Sequence, residues 1–362
     1  MNKNSLRLGN ISGIPIFVHW SFAAIIAYVI YIGVSNDFGI WGTTWYMLLI
    51  LSVFGCVLLH ELGHSLSARW YGIETEDITL LPIGGLARLE RMPKKPIQEL
   101  VIAIMGPAVN VVIAIVLAGL HWLLFGDFFN NISLSGDFTL NSYIALLTTI
   151  NIILVVFNMI PAFPMDGGRV FRALLSFKFS HVVATKIASI VGKLAAVCFI
   201  GYGFSQNDYT LMGVGAFVFY AASMENKIAS MEGALEGQTV QLMIRDRYTI
   251  FQTTDTVASV MNALSTGLET DFLVLNNNLV EGIVTKAIIV KHNAQNPDIT
   301  LNQVMKTDIF ATNPQESLTE VWMLIRGHKQ PIVPVFDSTT GLLLGVLDQR
   351  TIYNFIEMKN SR

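Results

Sequence analysis

Residues Trp45–Ala68 read WYMLLILSVFGCVLLHELGHSLSA. The run is long and apolar enough for one membrane-spanning helix, which needs about 20 mostly apolar residues. Near its end it carries His60, Glu61 and His64. On a helix, positions i and i+4 share a face, so both imidazoles reach one metal ion. Glu61 sits beside them, placed to take a proton from a water at that ion. Two ordinary helix histidines flanking a glutamate are the plain alternative. Three ionisable side chains in a span cost several kcal/mol, however, and mark function by default.

The rest of the chain agrees with a membrane setting. Of 362 residues, 52% are hydrophobic and 14% charged, against about 25% charged in a soluble domain. The net charge of -3 gives no basic footprint, so no nucleic-acid partner is expected. Cys56 and Cys198 lie in apolar runs and form neither a disulfide framework nor a zinc-finger spacing. Cys56, one turn before His60, is a competing ligand or simply a small buried residue.

Further runs that read as spans are Phe17–Val34, Leu100–Phe125 and Tyr143–Ile160. Ile187–Phe204 contains Lys193 and Leu211–Ser223 is short, so these two form spans or one hairpin of tilted helices. About six spanning helices are expected, the first acting as a retained signal anchor. Lys and Arg concentrate in cytoplasmic loops. Lys3 and Arg7 precede the first run; Arg69, Arg88, Arg91, Lys94 and Lys95 follow the second; Arg169, Arg172 and Lys178 follow the fourth. The segments 35–44 and 126–141 hold Asp37, Asp127 and Asp137 but no Lys or Arg. This alternation predicts a multi-pass protein of the plasma or inner membrane with cytoplasmic N- and C-termini.

A catalytic zinc takes three protein ligands and leaves a fourth position for water. Asp166 is the candidate third ligand, in the segment Asn158–Arg169, where two prolines and two glycines break the helix after the fourth run. Irregular backbone at membrane depth is tolerated where protein or a cavity surrounds it. The plain alternative makes Asp166 the N-cap of the next helix. Charge-based topology sets His60, His64 and Asp166 at similar depth near the inner face.

The motif His60–His64 on one span and Asn158 to Asp166 on another resembles the site-2 protease family of intramembrane zinc metalloproteases. Gly106–Asn110 and Ile14–Trp20 also look like that family's pattern. The resemblance implies one Zn2+ per chain, held by His60, His64 and Asp166, with Glu61 as catalytic base. Asn158 matches the family's asparagine; it holds substrate backbone or an oxyanion, or makes an interhelical hydrogen bond. His19 reads as structural. In the family a hairpin in the position of Leu80–Leu89 dips toward the active site. Gly84 and Gly85 would then lie on an edge that receives an extended substrate by strand addition; an ordinary turn is the other reading.

The C-terminal part holds an internal repeat of about 62 residues. Val240–Met243 and Leu301–Met305 begin two similar halves, Thr256–Val260 matches Ser317–Val321, and Gly282–Val284 matches Gly345–Leu347. The repeat resembles a tandem cystathionine-β-synthase (CBS) module pair. Such a pair implies an adenine nucleotide or another small ligand, regulation of an attached domain, and a homodimer. Ile288 and Thr351 stand where that family often has a ribose-binding aspartate.

The expected architecture is therefore a polytopic α-helical membrane metalloprotease domain over residues 1–230, followed by a cytoplasmic α/β tandem CBS domain. Its modules cover 237–294 and 299–362. The expected activity is zinc endopeptidase cleavage of a single-span membrane protein or remnant peptide in the bilayer, near the cytoplasmic face. The alternatives are a CBS-regulated channel or transporter, or an inactive homologue acting as a binding protein.

Overall fold

The computed structural model describes residues 5–82, 84–90, 93, 95–126, 139–267, 269–277 and 279–360. Lys3, Ile83, Arg91, Lys94, Asp127 and Asp137 of the readings above lie outside the described residues. The chain forms two compact units, residues 1–227 and 228–362.

The first unit opens with strands β1 (Ser5–Ile11) and β2 (Ile14–His19), then helices α1 (Phe22–Ser35) and α2 (Gly39–Arg69). Strands β3 (Thr75–Leu81) and β4 (Gly84–Leu89) follow, then α3 (Pro96–Phe125), α4 (Leu140–Asn158), α5 (Asp166–Ser176), α6 (His181–Ser205) and α7 (Tyr209–Leu235). Helices α2, α3, α4 and α6 are each long and apolar enough to cross a membrane. Their outward residues are greasy: Ile115, Val116, Leu123, Ile153, Val156 and Leu194 are all exposed, which is stable against lipid and not against water.

The first apolar run folds otherwise than the sequence suggests. Its first residues are the end of β2, and α1 has only 14 residues. At about 1.5 Å per residue it spans roughly 21 Å, short of a hydrocarbon core of about 30 Å. The cause is local. The β-branched run Ile14–Val18 finds a partner strand, because Ile16–Val18 pair in parallel with Ile78–Leu80. The late runs form two helices, α6 and α7, joined by Gln206–Asp208, where the Asp208 carboxylate accepts the amides of Thr210 and Leu211.

Helix ends follow their local chemistry. Pro96 opens α3, where its missing N–H costs nothing, and Gly126 closes it at φ 74°. Thr139 caps α4 by accepting the Ser142 amide. The sheet order is β1-β2-β3-β4, so among the described residues β4 has one edge without a strand partner. An Arg88–Asp77 ion pair ties β3 to β4.

The second unit repeats one pattern. The first half contains β5 (Ile250–Gln252), α8 (Val257–Thr266), β6 (Asp271–Asn276), β7 (Leu279–Thr285) and α9 (Lys286–Asn293). The second contains α10 (Leu318–His328), β8 (Ile332–Phe336), β9 (Leu343–Asp348) and α11 (Gln349–Asn360). The two short turns that begin the repeat are exchanged. Thr239 pairs with Ser317 and Thr256 pairs with Thr300. Val240 and Met243 thus pack in one core with Trp322, Val333 and Ile352, while Leu301 packs in another with Val257, Phe272 and Ile289.

Candidate metal centre

Helix α2 presents His60 and His64 on one face, both buried. The backbone break Ile160–Met165 turns the chain back so that α5 begins with Asp166, also buried. Asp166 is not a helix cap: Met165 holds that position, without a side-chain cap bond. Its Oδ2 lies 3.1 Å from His60 Nε2 and 3.2 Å from His64 Nε2, and the two Nε2 atoms are 3.1 Å apart. Among the described residues these three form the one cluster of potential metal ligands. Cys56 is not part of it; its sulfur lies 3.4 Å from Asn151 Nδ2 instead.

The donors fit zinc. Ligand atoms about 2.0–2.1 Å from a tetrahedral zinc lie about 3.3 Å from one another, close to the three separations found. The protonation pattern points the same way. His64 Nδ1–H donates to the Ile102 carbonyl at 2.7 Å. A carbonyl only accepts, so a neutral His64 carries its lone pair on Nε2. His60 Nδ1 is engaged by Asn110 Oδ1 at 2.5 Å, which likewise turns its Nε2 lone pair toward Asp166. Lone pairs and a carboxylate converging in a buried space repel one another unless a cation joins them.

Two close approaches shape the site. A Cβ on Gly106 of α3 would lie 2.2 Å from His64 Nε2 and 2.8 Å from His60 Nε2. A Cβ on Gly85 of β4 would lie 2.5 Å from Glu61 Cγ and 3.2 Å from Glu61 Oε1. Helix α3 thus passes flush against the ligand pair, and β4 lies directly on the candidate base. Gly84 sits at φ 136° with open space around it. Asn158 is the last residue of α4, half-buried, eight positions before Asp166. His19 Nδ1 bonds Ser21 Oγ at 2.6 Å, away from the cluster.

Sequence reasoning missed two polar groups around this centre. Asn110 and Asn151, both fully buried, stand behind His60. Arg172 on α5 joins Glu99 of α3 (2.5 Å) and Glu225 of α7 (2.5 Å) and lies over the Phe163 ring at 5.0 Å. This triad, buried at Arg172 and Glu99 and half-buried at Glu225, fixes the helix that carries Asp166. A polar residue inside an apolar run was the signal available for the two asparagines; Arg172, Glu99 and Glu225 lie outside the runs.

The model of Peptidase family M50 matches residues 48–201, the stretch that holds His60, Glu61, His64 and Asp166. Over that stretch the chain resembles the M50 peptidases. A zinc metalloprotease of Methanocaldococcus jannaschii is 39% identical over 230 residues, 63% of this chain and 62% of that protein. The match thus spans somewhat under two thirds of that relative. A solved site-2 protease from the same organism is 38% identical, covers 61% of this chain and 95% of that chain, and has a TM-score of 0.46. A putative zinc metalloprotease of Synechocystis is 27% identical and covers 98% of this chain and 96% of that protein. Separately, the CBS domains of a Streptococcus pneumoniae transcriptional regulator match 33% of this chain and 99% of that one, at 24% identity and TM-score 0.29. The match to the M50 peptidases does not favour the channel and transporter alternatives.

Proposed function

We propose that the protein is an intramembrane zinc endopeptidase that cuts membrane-spanning segments close to the cytoplasmic face. The observation that carries this reading is the convergence of His60 Nε2, His64 Nε2 and Asp166 Oδ2, each 3.1–3.2 Å from the others, from two separate helices. The residues that hold the metal are His60, His64 and Asp166. Zinc in such a site supplies Lewis acidity that makes water nucleophilic near neutral pH.

Glu61 is the base. It takes a proton from the attacking water and delivers one to the leaving amine. A helical substrate hides its carbonyls, so it must unwind. The edge of β4 at Gly84 and Gly85 offers main-chain hydrogen bonds to an extended segment. The amide of Asn158 holds the substrate backbone or the developing oxyanion. The substrate class is a single-span membrane protein or a remnant peptide within the bilayer. The alternation of Lys and Arg along the loops supports cytoplasmic termini in a plasma or inner membrane.

Within the second unit, residues 237–362 are a regulatory CBS pair in this reading, with modules 237–294 and 299–362, and the pair is the candidate surface for a homodimer. Its reciprocal turn exchange supports a paired-module design. A cleft of about 300 Å³, lined by residues including Arg245, Asp271, Asp348 and Tyr353, is the place for an adenine nucleotide or another small ligand. Burial pushes the Asp271 carboxyl up. Ile288 and Thr351 supply no ribose-binding carboxylate there.

Glu61→Gln tests the assignment. The variant should keep its zinc and cut a single-span reporter about 10²–10⁴-fold more slowly. Unchanged cleavage would remove Glu61 as the base.

A further inference from the structure

Three helices meet behind His60 through two asparagines. Asn110 lies on α3 and Asn151 on α4; both are fully buried in the apolar interior. Asn151 Nδ2 donates to the Leu147 carbonyl at 2.8 Å and faces Cys56 Sγ at 3.4 Å. Asn110 Nδ2 donates to Asn151 Oδ1 at 2.8 Å. Asn110 Oδ1 then stands 2.5 Å from His60 Nδ1.

The chain of bonds has one consistent polarity. The Leu147 carbonyl is part of the α4 backbone and only accepts. It therefore demands the NH2 end of the Asn151 amide. Turning that amide over would set two oxygens 2.8 Å apart in an apolar interior, a repulsive contact that leaves the Asn151 amide oxygen without a donor there, which is costly. With Asn151 fixed, its oxygen demands the NH2 end of Asn110. With Asn110 fixed, its oxygen demands a proton on His60 Nδ1. A backbone carbonyl on α4 thus specifies, two side chains away, which nitrogen of a ring on α2 carries the hydrogen.

We infer that Asn151 and Asn110 are positioning residues that lock His60 in the Nδ1–H tautomer and so set the affinity of the zinc site. The inference rests on the zinc reading above. The relay presents the His60 Nε2 lone pair to the cluster at no reorganisation cost, and its carbonyl-type partner raises the basicity of the ring. His64 needs no such relay, because its Nδ1–H reaches the Ile102 carbonyl directly.

Zinc dissociation constants of the purified full-length protein, measured by competition with a chelator, test the relay. Asn110→Leu and Asn151→Leu keep the volume and remove the bonds; each should weaken zinc about 10–100-fold. Asn110→Asp keeps an acceptor on His60 Nδ1 whichever way its carboxyl faces, so the ring stays locked without orientation by Asn151. Its affinity should stay within about threefold of wild type, since the acceptor is what matters. Thermal unfolding in excess chelator monitors the fold, and Asn151→Ala replaces a leucine variant that does not fold, with the same loss expected. Wild-type affinity in the Asn151 variants would overturn the relay. So would an Asn110→Asp loss as large as that of Asn110→Leu, which would mark a packing role. A wild type that binds no zinc would instead overturn the metal reading, and the relay with it.

Discussion

Replacing Gly85 by alanine separates the base from the metal. The added methyl would lie 2.5 Å from Glu61 Cγ, whereas carbon atoms normally rest about 3.5 Å or more apart. About 1 Å must be recovered. Strand β4 is held to β3 along its length and by the Arg88–Asp77 pair, so the Glu61 side chain gives way. A misplacement of about 1 Å at a reacting group costs about 10²-fold in rate, equivalent to roughly 2.7 kcal/mol of barrier. No metal donor is among the three nearest atoms that the methyl meets, so zinc stays bound. Gly106→Ala is the contrasting variant, because its methyl would strike His64 Nε2 at 2.2 Å and His60 Nε2 at 2.8 Å; it should lose zinc and activity together. The assay is cleavage of a single-span reporter in proteoliposomes, followed by band shift, with zinc counted by mass spectrometry on the same preparations. Gly85→Ala protein that cleaves at the wild-type rate with zinc in place would refute the placement of Glu61 against β4. Loss of zinc in Gly85→Ala would refute the separation of the two functions.

Arg172→Met leaves Glu99 and Glu225 without their cation in a buried setting, so it should destabilise the first unit by about 3–5 kcal/mol, seen as a lower thermal midpoint; an unchanged midpoint would mean the triad contributes no net stability. In the second unit, Asp348 accepts the Thr351 amide at the start of α11 and pairs with Arg245. Burial alone would raise its carboxyl, but the Thr351 amide and the Arg245 guanidinium hold it below the ordinary carboxylate range. A depressed folded-state pKa stabilises above the unfolded value and is lost as pH falls through the folded one. Asp348→Ala should therefore cost about 2 kcal/mol at neutral pH, and the gap between variant and wild type should close in acid below the ordinary carboxylate range. A gap that persists at low pH would assign the loss to something other than the ionised carboxylate.

Much of the site was legible in the sequence because its chemistry is local. His60, Glu61 and His64 announce themselves by spacing within one helix, and Asp166 by the helix break before it. The repeat in the second unit was legible by comparing the chain with itself. The contacts that need packing were not. Val18 and its neighbours form a strand because Ser5–Ile11 and Ile78–Leu80 pair with them on either side, and a short apolar run reads equally well as helix or strand. Asn110 was visible inside a motif, yet its bond to His60 depends on how α2 and α3 cross. Asn151 lies one link further away and had no spacing to reveal it. Arg172 read as a cytoplasmic charge that helps set orientation, whereas its guanidinium is buried between Glu99 and Glu225. The two glycines that matter most, Gly85 and Gly106, owe their importance to neighbours distant in the chain.

The most direct test of the central claim is the metal content of the purified protein for wild type, Asp166→Ala and the His60→Ala/His64→Ala double variant. The account predicts about one zinc per wild-type chain, as a single three-ligand donor set requires, with weaker retention in Asp166→Ala and none in the double variant. Folded, zinc-supplemented wild-type protein that holds no zinc would contradict it.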